Sequence, residues 1–151
     1  MGFIMADLFD NPLGLDGFEF VEYAGDTAQL DTLFRNMGFT PVAKHKNRDV
    51  TLYRQGRINF LLNAQKTGQG ASFIKEHTSG ASAMAFRVKD AKKALSDAIK
   101  RGAVPITGHG GSMGDDIPAI KGIGGTLLYL VDDANFYDRD FAFISADKNP
   151  K

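Results

Sequence analysis

The sequence predicts an α+β fold in which two tandem βαβββ modules form an open barrel around a cleft. Three observations predict it. Strand-like runs rich in aromatic and β-branched residues surround one amphipathic helix in each half of the chain. The order β-α-β-β-β can be written twice. The helix punctuation also recurs in register: Asp26 and Asp90 stand at N-cap positions, Gly38 and Gly102 at helix stops, and Pro41 and Pro105 just beyond, each pair 64 positions apart. A single βαβββ unit leaves one sheet face bare, and pairing two of them buries that face and the free edges.

Residues 1–16 read as an N-terminal arm. The first module, 17–64, opens with GFEFVEYA (Gly17–Ala24) as a strand. Asp26 followed by Gln29 has capping-box spacing, and Leu30, Leu33, Phe34 and Met37 make one helical stripe. After Gly38, the runs TPVAKH, DVTLYRQ and INFLLNA supply three strands. Residues 65–80 are polar and read as a linker. The second module, 81–132, begins with ASAMAFRVK, and Asp90 then caps a helix carrying Ala91, Ala94, Leu95, Ala98 and Ile99. VPITGH, IPAIKG and TLLYLVD complete it. Residues 133–151 form a C-terminal extension whose FYDRDFAFI reads as an alternating aromatic stretch covering an edge or an interface.

Composition narrows the function classes. A chain of 151 residues suits one domain with a sizeable core. Lys+Arg and Asp+Glu balance at 18 each, so no global positive field attracts nucleic acid or an anionic membrane. No apolar run approaches the roughly 18–20 residues that cross a bilayer. The opening MGFIMADLFD lacks the pattern of a secretory signal, and the cytoplasm is the expected location. The absence of Cys excludes disulfides and thiolate metal sites.

The architecture resembles the vicinal-oxygen-chelate superfamily, the glyoxalase-like fold. Within it, ADLFDNPLGLDGFEFVEYA, MGFTPVAKH, VTLYRQGRINFLLN, AMAFRVKDA, IPAIKGIGG, LLYLVD and FYDRDFAFI resemble the amino-terminal half of the bacterial 4-hydroxyphenylpyruvate dioxygenase family, from about Ala6 to Ile144. That resemblance implies two tandem barrel domains and conversion of 4-hydroxyphenylpyruvate and O₂ to homogentisate and CO₂ at Fe(II), in tyrosine breakdown. The iron ligands, two His and one Glu, would lie in a carboxy-terminal domain following Lys151. It further implies that this chain holds no cofactor, has no catalytic residue and is inactive alone. Its role would be that of scaffold and oligomerisation half, partnered by a catalytic C-terminal barrel or a second copy.

In metal-binding members of the superfamily the ligands lie on the first and last strands of each module. Counting back from the capping Asp residues by that spacing gives Glu19 and Ala83, and the last strands give Asn59 and Tyr129. Strand alternation agrees, placing Phe18 and Phe20 under the helix with Met84, Phe86 and Val88 as counterparts. The set Glu19, Asn59, Ala83, Tyr129 lacks the imidazoles of a facial triad, so no metal is expected. Glu19 is instead expected to hydrogen-bond Tyr129 or Asn59 across a filled cleft. His45, His77 and His109 lack ligand spacing and read as surface or hairpin residues. GGSMG (Gly110–Gly114) satisfies G-x-S-x-G, but DDIPAI follows instead of a helix, so a flexible loop is expected. KGIGG (Lys121–Gly125) fits no phosphate-loop pattern and reads as a strand turn. An alternative function is a free-standing, metal-free binder of a small, for example aromatic, ligand, using Glu19, Asn59 and Arg87. A metal-dependent lyase or dioxygenase acting alone is disfavoured by the same missing ligands.

Overall fold

The computed structural model describes residues 10–108, 111–114, 116–133 and 135–151. Most of the expected N-terminal arm, together with His109 and Gly110, lies outside the described residues. Each repeated helix signal has a physical counterpart. The Asp26 carboxylate accepts from the Gln29 N–H at 3.0 Å, and Asp90 accepts from the Lys93 N–H at 2.8 Å. At the first cap the Asp26 N–H donates to Ser79 Oγ at 2.9 Å, a bond made across the fold. Gly38 and Gly102 end the helices at φ 93° and 100°, where a side chain would be strained.

The elements run β1 (Leu15–Ala24), α1 (Thr27–Asn36), β2 (Thr40–His45), β3 (Val50–Gln55), β4 (Ile58–Asn63) and α2 (Gln69–His77). Then come β5 (Gly80–Val88), α3 (Ala91–Lys100), β6 (Pro105–Ile106), β7 (Ala119–Lys121), β8 (Leu127–Val131), α4 (Phe136–Asp140) and β9 (Phe141–Phe143). KGIGG is a strand end followed by a short 3-10 turn at Ile123–Gly125. Among the described residues, all nine strands join one mixed sheet in the order β6-β7-β8-β5-β1-β4-β3-β2-β9. β1 pairs with β4 and β5 with β8 in parallel, and β1 meets β5 antiparallel at the centre. The sheet curls around an apolar interior that includes Phe20, Leu52, Leu61, Ala85, Tyr129 and Phe136. A second cluster, with Leu30, Phe34, Phe39, Tyr53 and Leu62, lies under α1, and a third, with Val88, Ala91, Ala94 and Leu130, lies under α3.

Four features depart from the sequence reading. The stretch read as a linker contains α2, which buries Phe73 but begins at Gly68 with no side-chain cap, so no start signal marks it. FYDRDFAFI is not one alternating stretch: α4 buries Phe136 and Tyr137, and β9 then pairs with β2. The α1 stripe is narrower than expected, with Leu30 and Phe34 buried but Leu33 48% and Met37 51% exposed. Phe20 lies in the barrel interior, not under a helix, and Phe18 is 60% exposed against Phe86. The cause of this last departure is local. Phe18 pairs with Phe86 and Phe20 with Ala85, so β1 carries an extra residue at Glu19. Such a bulge breaks the in–out alternation on which the count relied.

The packing carries a stability ordering. Phe20→Ala should cost about 3–5 kcal/mol, as truncation of an interior aromatic does. Asp90→Ala should cost about 1 kcal/mol, the value of one cap. Urea denaturation of the two variants measures both, and a Phe20→Ala cost no larger than that of Asp90→Ala would contradict an interior Phe20.

Candidate functional site

The barrel interior is ordered along its strands. On the β3/β4 ladder Arg54 faces Asn59, Leu52 faces Leu61 and Val50 faces Asn63. Alternate residues on these strands point inward, so the interior passes from a polar mouth at Arg54 and Asn59, through an apolar middle, to a second polar level at Asn63.

At the mouth, Arg54 Nε donates to Asn59 Oδ1 at 2.7 Å, and Asn59 Nδ2 donates to the Glu19 carbonyl at 3.0 Å. Arg87 Nη1 reaches the Glu19 carboxylate at 3.3 Å and also donates to the Phe18 carbonyl at 2.6 Å. The Arg54 guanidinium lies 4.8 Å from the centre of the Tyr137 ring. Burial and the nearby Glu19 push the Tyr137 phenol well above its ordinary value, so it stays protonated. A cavity of about 470 Å³ opens between Glu19, Arg54, Arg57, Asn59, Arg87 and Tyr137.

The deeper level is built on Glu22, a fully buried carboxylate that alternation did not single out. Its Oε1 accepts from Asn63 Nδ2 at 2.7 Å and from Ser82 Oγ at 3.4 Å, and its Oε2 accepts from Ser112 Oγ. Glu22 pairs with Ala83 and Tyr23 with Ala81, which makes Ser82 the extra residue of a second irregularity, on β5. Ser112 arrives on the GGSMG segment. Residues 111–114 are buried in the barrel, and Arg48 Nη1 donates to the Ser112 carbonyl at 3.3 Å. The described part of this loop is therefore seated in the core and not a flexible surface loop. Desolvation raises the Glu22 pKa, and the Ser112, Asn63 and Ser82 donors pull it partly back. Tyr129, also interior, is raised by burial first and by Glu22 second.

The four counted positions thus divide between two levels. Glu19 and Asn59 meet at the mouth, where the Asn59 side chain bonds the Glu19 backbone carbonyl and the Glu19 carboxylate pairs with Arg87, not with Tyr129 or Asn59. Ala83 sits beside Glu22, and the Tyr129 ring packs on Phe20 in the interior. These groups do not fit an Fe(II) centre. They supply no imidazole, and among the described residues no three His, Cys, Asp or Glu side chains gather as a metal site. His45 is half-buried against Phe141, with its pKa lowered by burial and by Arg48, and His77 bonds the Gly124 carbonyl at 2.8 Å. His109 lies outside the described residues. Glu22 could be anticipated only as a polar residue in a buried strand, since its partners lie 41, 60 and 90 positions away.

Glu22 has a pH signature. Its folded pKa exceeds the ordinary 4.5, so the unfolded chain ionises first. Its contribution is then most favourable below that ordinary value and is lost as pH rises through the folded one. Glu22→Gln keeps acceptor and donor capacity without the charge. Its stability advantage over the parent, followed by urea denaturation from acid to neutral pH, should grow with pH, and a constant difference would oppose the assignment. Glu22→Ala should destabilise by about 2–4 kcal/mol, leaving Asn63 and Ser112 unpaired around a void.

The family model described as "Hydroxyphenylpyruvate dioxygenase, HPPD, N-terminal" matches residues 9–142. The 4-hydroxyphenylpyruvate dioxygenase of Pseudomonas sp. (strain P.J. 874) is 48% identical over 151 residues, which cover 96% of this chain and 42% of that protein. The chain therefore spans about two fifths of that relative's length. A solved xylose isomerase-like TIM barrel/4-hydroxyphenylpyruvate dioxygenase fusion protein superposes with a TM-score of 0.81 at 36% identity, covering 95% of this chain and 24% of the other. Methylmalonyl-CoA epimerase from Mycobacterium tuberculosis superposes with a TM-score of 0.61 at 16% identity, covering 88% of this chain and 97% of that one, a likeness of fold alone. No helix among the described residues is long and apolar enough to cross a membrane. With the family model spanning most of its length, on a barrel of the glyoxalase-like fold, the chain belongs to the family of hydroxyphenylpyruvate dioxygenase N-terminal domains.

Proposed function

We propose that this chain is the non-catalytic half of a 4-hydroxyphenylpyruvate dioxygenase-type protein, a scaffold for a separate barrel that carries Fe(II) and the oxidation of 4-hydroxyphenylpyruvate to homogentisate and CO₂. The observation that carries the reading is the content of the cleft. Its counted positions hold Glu19, Asn59, Ala83 and Tyr129, and its interior is filled by Phe20, Phe136 and the Ser112 segment. A site that must admit O₂ and substrate to a metal needs open coordination positions and imidazole ligands. Here side chains fill that space. The match to a family model of N-terminal domains, and to about two fifths of a longer relative, points the same way. The partner is a catalytic barrel or a second copy, and Phe18 and Ile123, the latter 92% exposed, offer apolar surface for it. A cytoplasmic location goes with this reading.

The test separates scaffold from enzyme. The isolated chain, incubated with Fe(II), ascorbate and 4-hydroxyphenylpyruvate, should consume no O₂ above the protein-free rate and should purify with far less than one iron per chain. The same 151 residues exchanged for the matching region of the Pseudomonas relative should support homogentisate formation. Homogentisate from the isolated chain, or a folded chimera with no turnover, would count against the proposal.

A further inference from the structure

We propose that the arginine-rimmed mouth of the barrel is a binding site for a small organic carboxylate. The proposal is independent of the scaffold role, because it concerns the cavity at the mouth and not the filled interior. Three guanidiniums, from Arg54 on β3, Arg57 in the β3–β4 turn and Arg87 on β5, border this cavity together with Lys151 and one acidic side chain, Glu19. Across the whole chain acidic and basic residues balance at 18 each, so the surplus at the mouth is local. A concave site with low-dielectric walls concentrates such a field and raises the local concentration of anions. At about 470 Å³ the cavity falls within the range of small-molecule sites, roughly 300–1,000 Å³.

Two of the three guanidiniums are already held in place. Arg54 is fixed by Asn59 at 2.7 Å and by the Lys148 carbonyl at 3.0 Å, and it stacks on Tyr137. Arg87 is fixed by the Asp16 and Phe18 carbonyls at 3.0 and 2.6 Å. Backbone carbonyls orient these guanidiniums without cancelling their charge, so little side-chain freedom remains to be lost on binding. Among the described residues Glu19 is the only acidic side chain on the rim, and its 3.3 Å contact with Arg87 is long for a charge-assisted bond. Arg57 is exposed and makes no hydrogen bond or ion pair with another described residue. A planar carboxylate matches the guanidinium fork. The buried rings of Phe20 and Phe136 close the interior, so the ligand body must project outward past Tyr137.

The test uses the full chain and ¹⁵N–¹H spectra that include the arginine Nε–H signals, at constant ionic strength in chloride. Sodium benzoate is the probe, with inorganic phosphate and benzyl alcohol as alternatives. Saturable shifts at Arg54, Arg57 and Arg87 with benzoate, and none with benzyl alcohol, are expected. Arg57→Ala should weaken benzoate binding about five-fold, Glu19→Gln should strengthen it, and Arg101→Ala, beyond α3 and remote from the mouth in the fold, should leave it unchanged. The proposal is overturned if benzoate shifts do not saturate, or if benzyl alcohol or phosphate binds as tightly. It also fails if Arg57→Ala behaves like Arg101→Ala, or if Glu19→Gln weakens binding. The wild-type titrations decide the matter even if a variant fails to fold.

Discussion

The antiparallel seam between β1 and β5 is the constraint on which the rest of the molecule depends. It joins the two modules, lies at the middle of the nine-stranded sheet, and sets which side chains enter the barrel. Its register is irregular. The extra residue at Glu19 lets β1 present Phe18 outward and Phe20 inward, and the extra residue at Ser82 carries a hydroxyl to Glu22. A bulge is a small change in backbone count, but on a period of two it reverses every later assignment of inside and outside. The filled interior, the position of Glu22 and the charged mouth all follow from that seam.

Among the described residues, the charged side chain buried in the barrel, Glu22, has support. Glu22 has no contact with solvent, yet three side-chain donors surround it, and all three come from segments far away in sequence. Removing water from a carboxylate is costly, and donors of this kind recover part of that cost while fixing the segments that bring them. Here they tie β1, β4, β5 and the loop of residues 111–114 into one arrangement. The loop is small enough to enter because it is Gly111, Ser112, Met113 and Gly114, and a Cβ at Gly114 would collide with the Arg48 guanidinium. Of the glycines in this apparent catalytic motif, Gly114 is required by its positive φ of 63° and by the Arg48 guanidinium beside it.

Much of the architecture was legible in the sequence. The two caps, the glycine stops and the post-helix prolines are local signals, and local physics realises them. The resemblance located the family on long, specific phrases. What could not be read was decided by contacts distant in sequence. α2 has no N-cap side chain to announce it, and α4 interrupts a stretch whose aromatic spacing suits a strand. Counting back from Asp26 and Asp90 requires the two modules to be in phase. The interior residues of β1 are Phe20, Glu22 and Ala24, whereas those of β5 are Ala83, Ala85 and Arg87, so the strands differ by one residue in phase although their helices do not. No composition or periodicity within either strand reveals that shift.

That phase difference bears on what a barrel of this kind can do. Convergence of ligands from the first and last strands of two modules requires the four positions to lie at one level of the interior. In this chain the shift sets Glu19 and Asn59 at the mouth and leaves Ala83 beside Glu22, one polar level deeper, with Phe20 between them. Substituting histidines at the four counted positions would therefore not create a metal centre, because the side chains would open onto different spaces. The loss of ligand residues and the loss of ligand geometry reinforce each other, and the second is the harder to reverse. What the displacement leaves instead is a rim where Glu19, largely buried, stands among arginines at the wall of the mouth cavity.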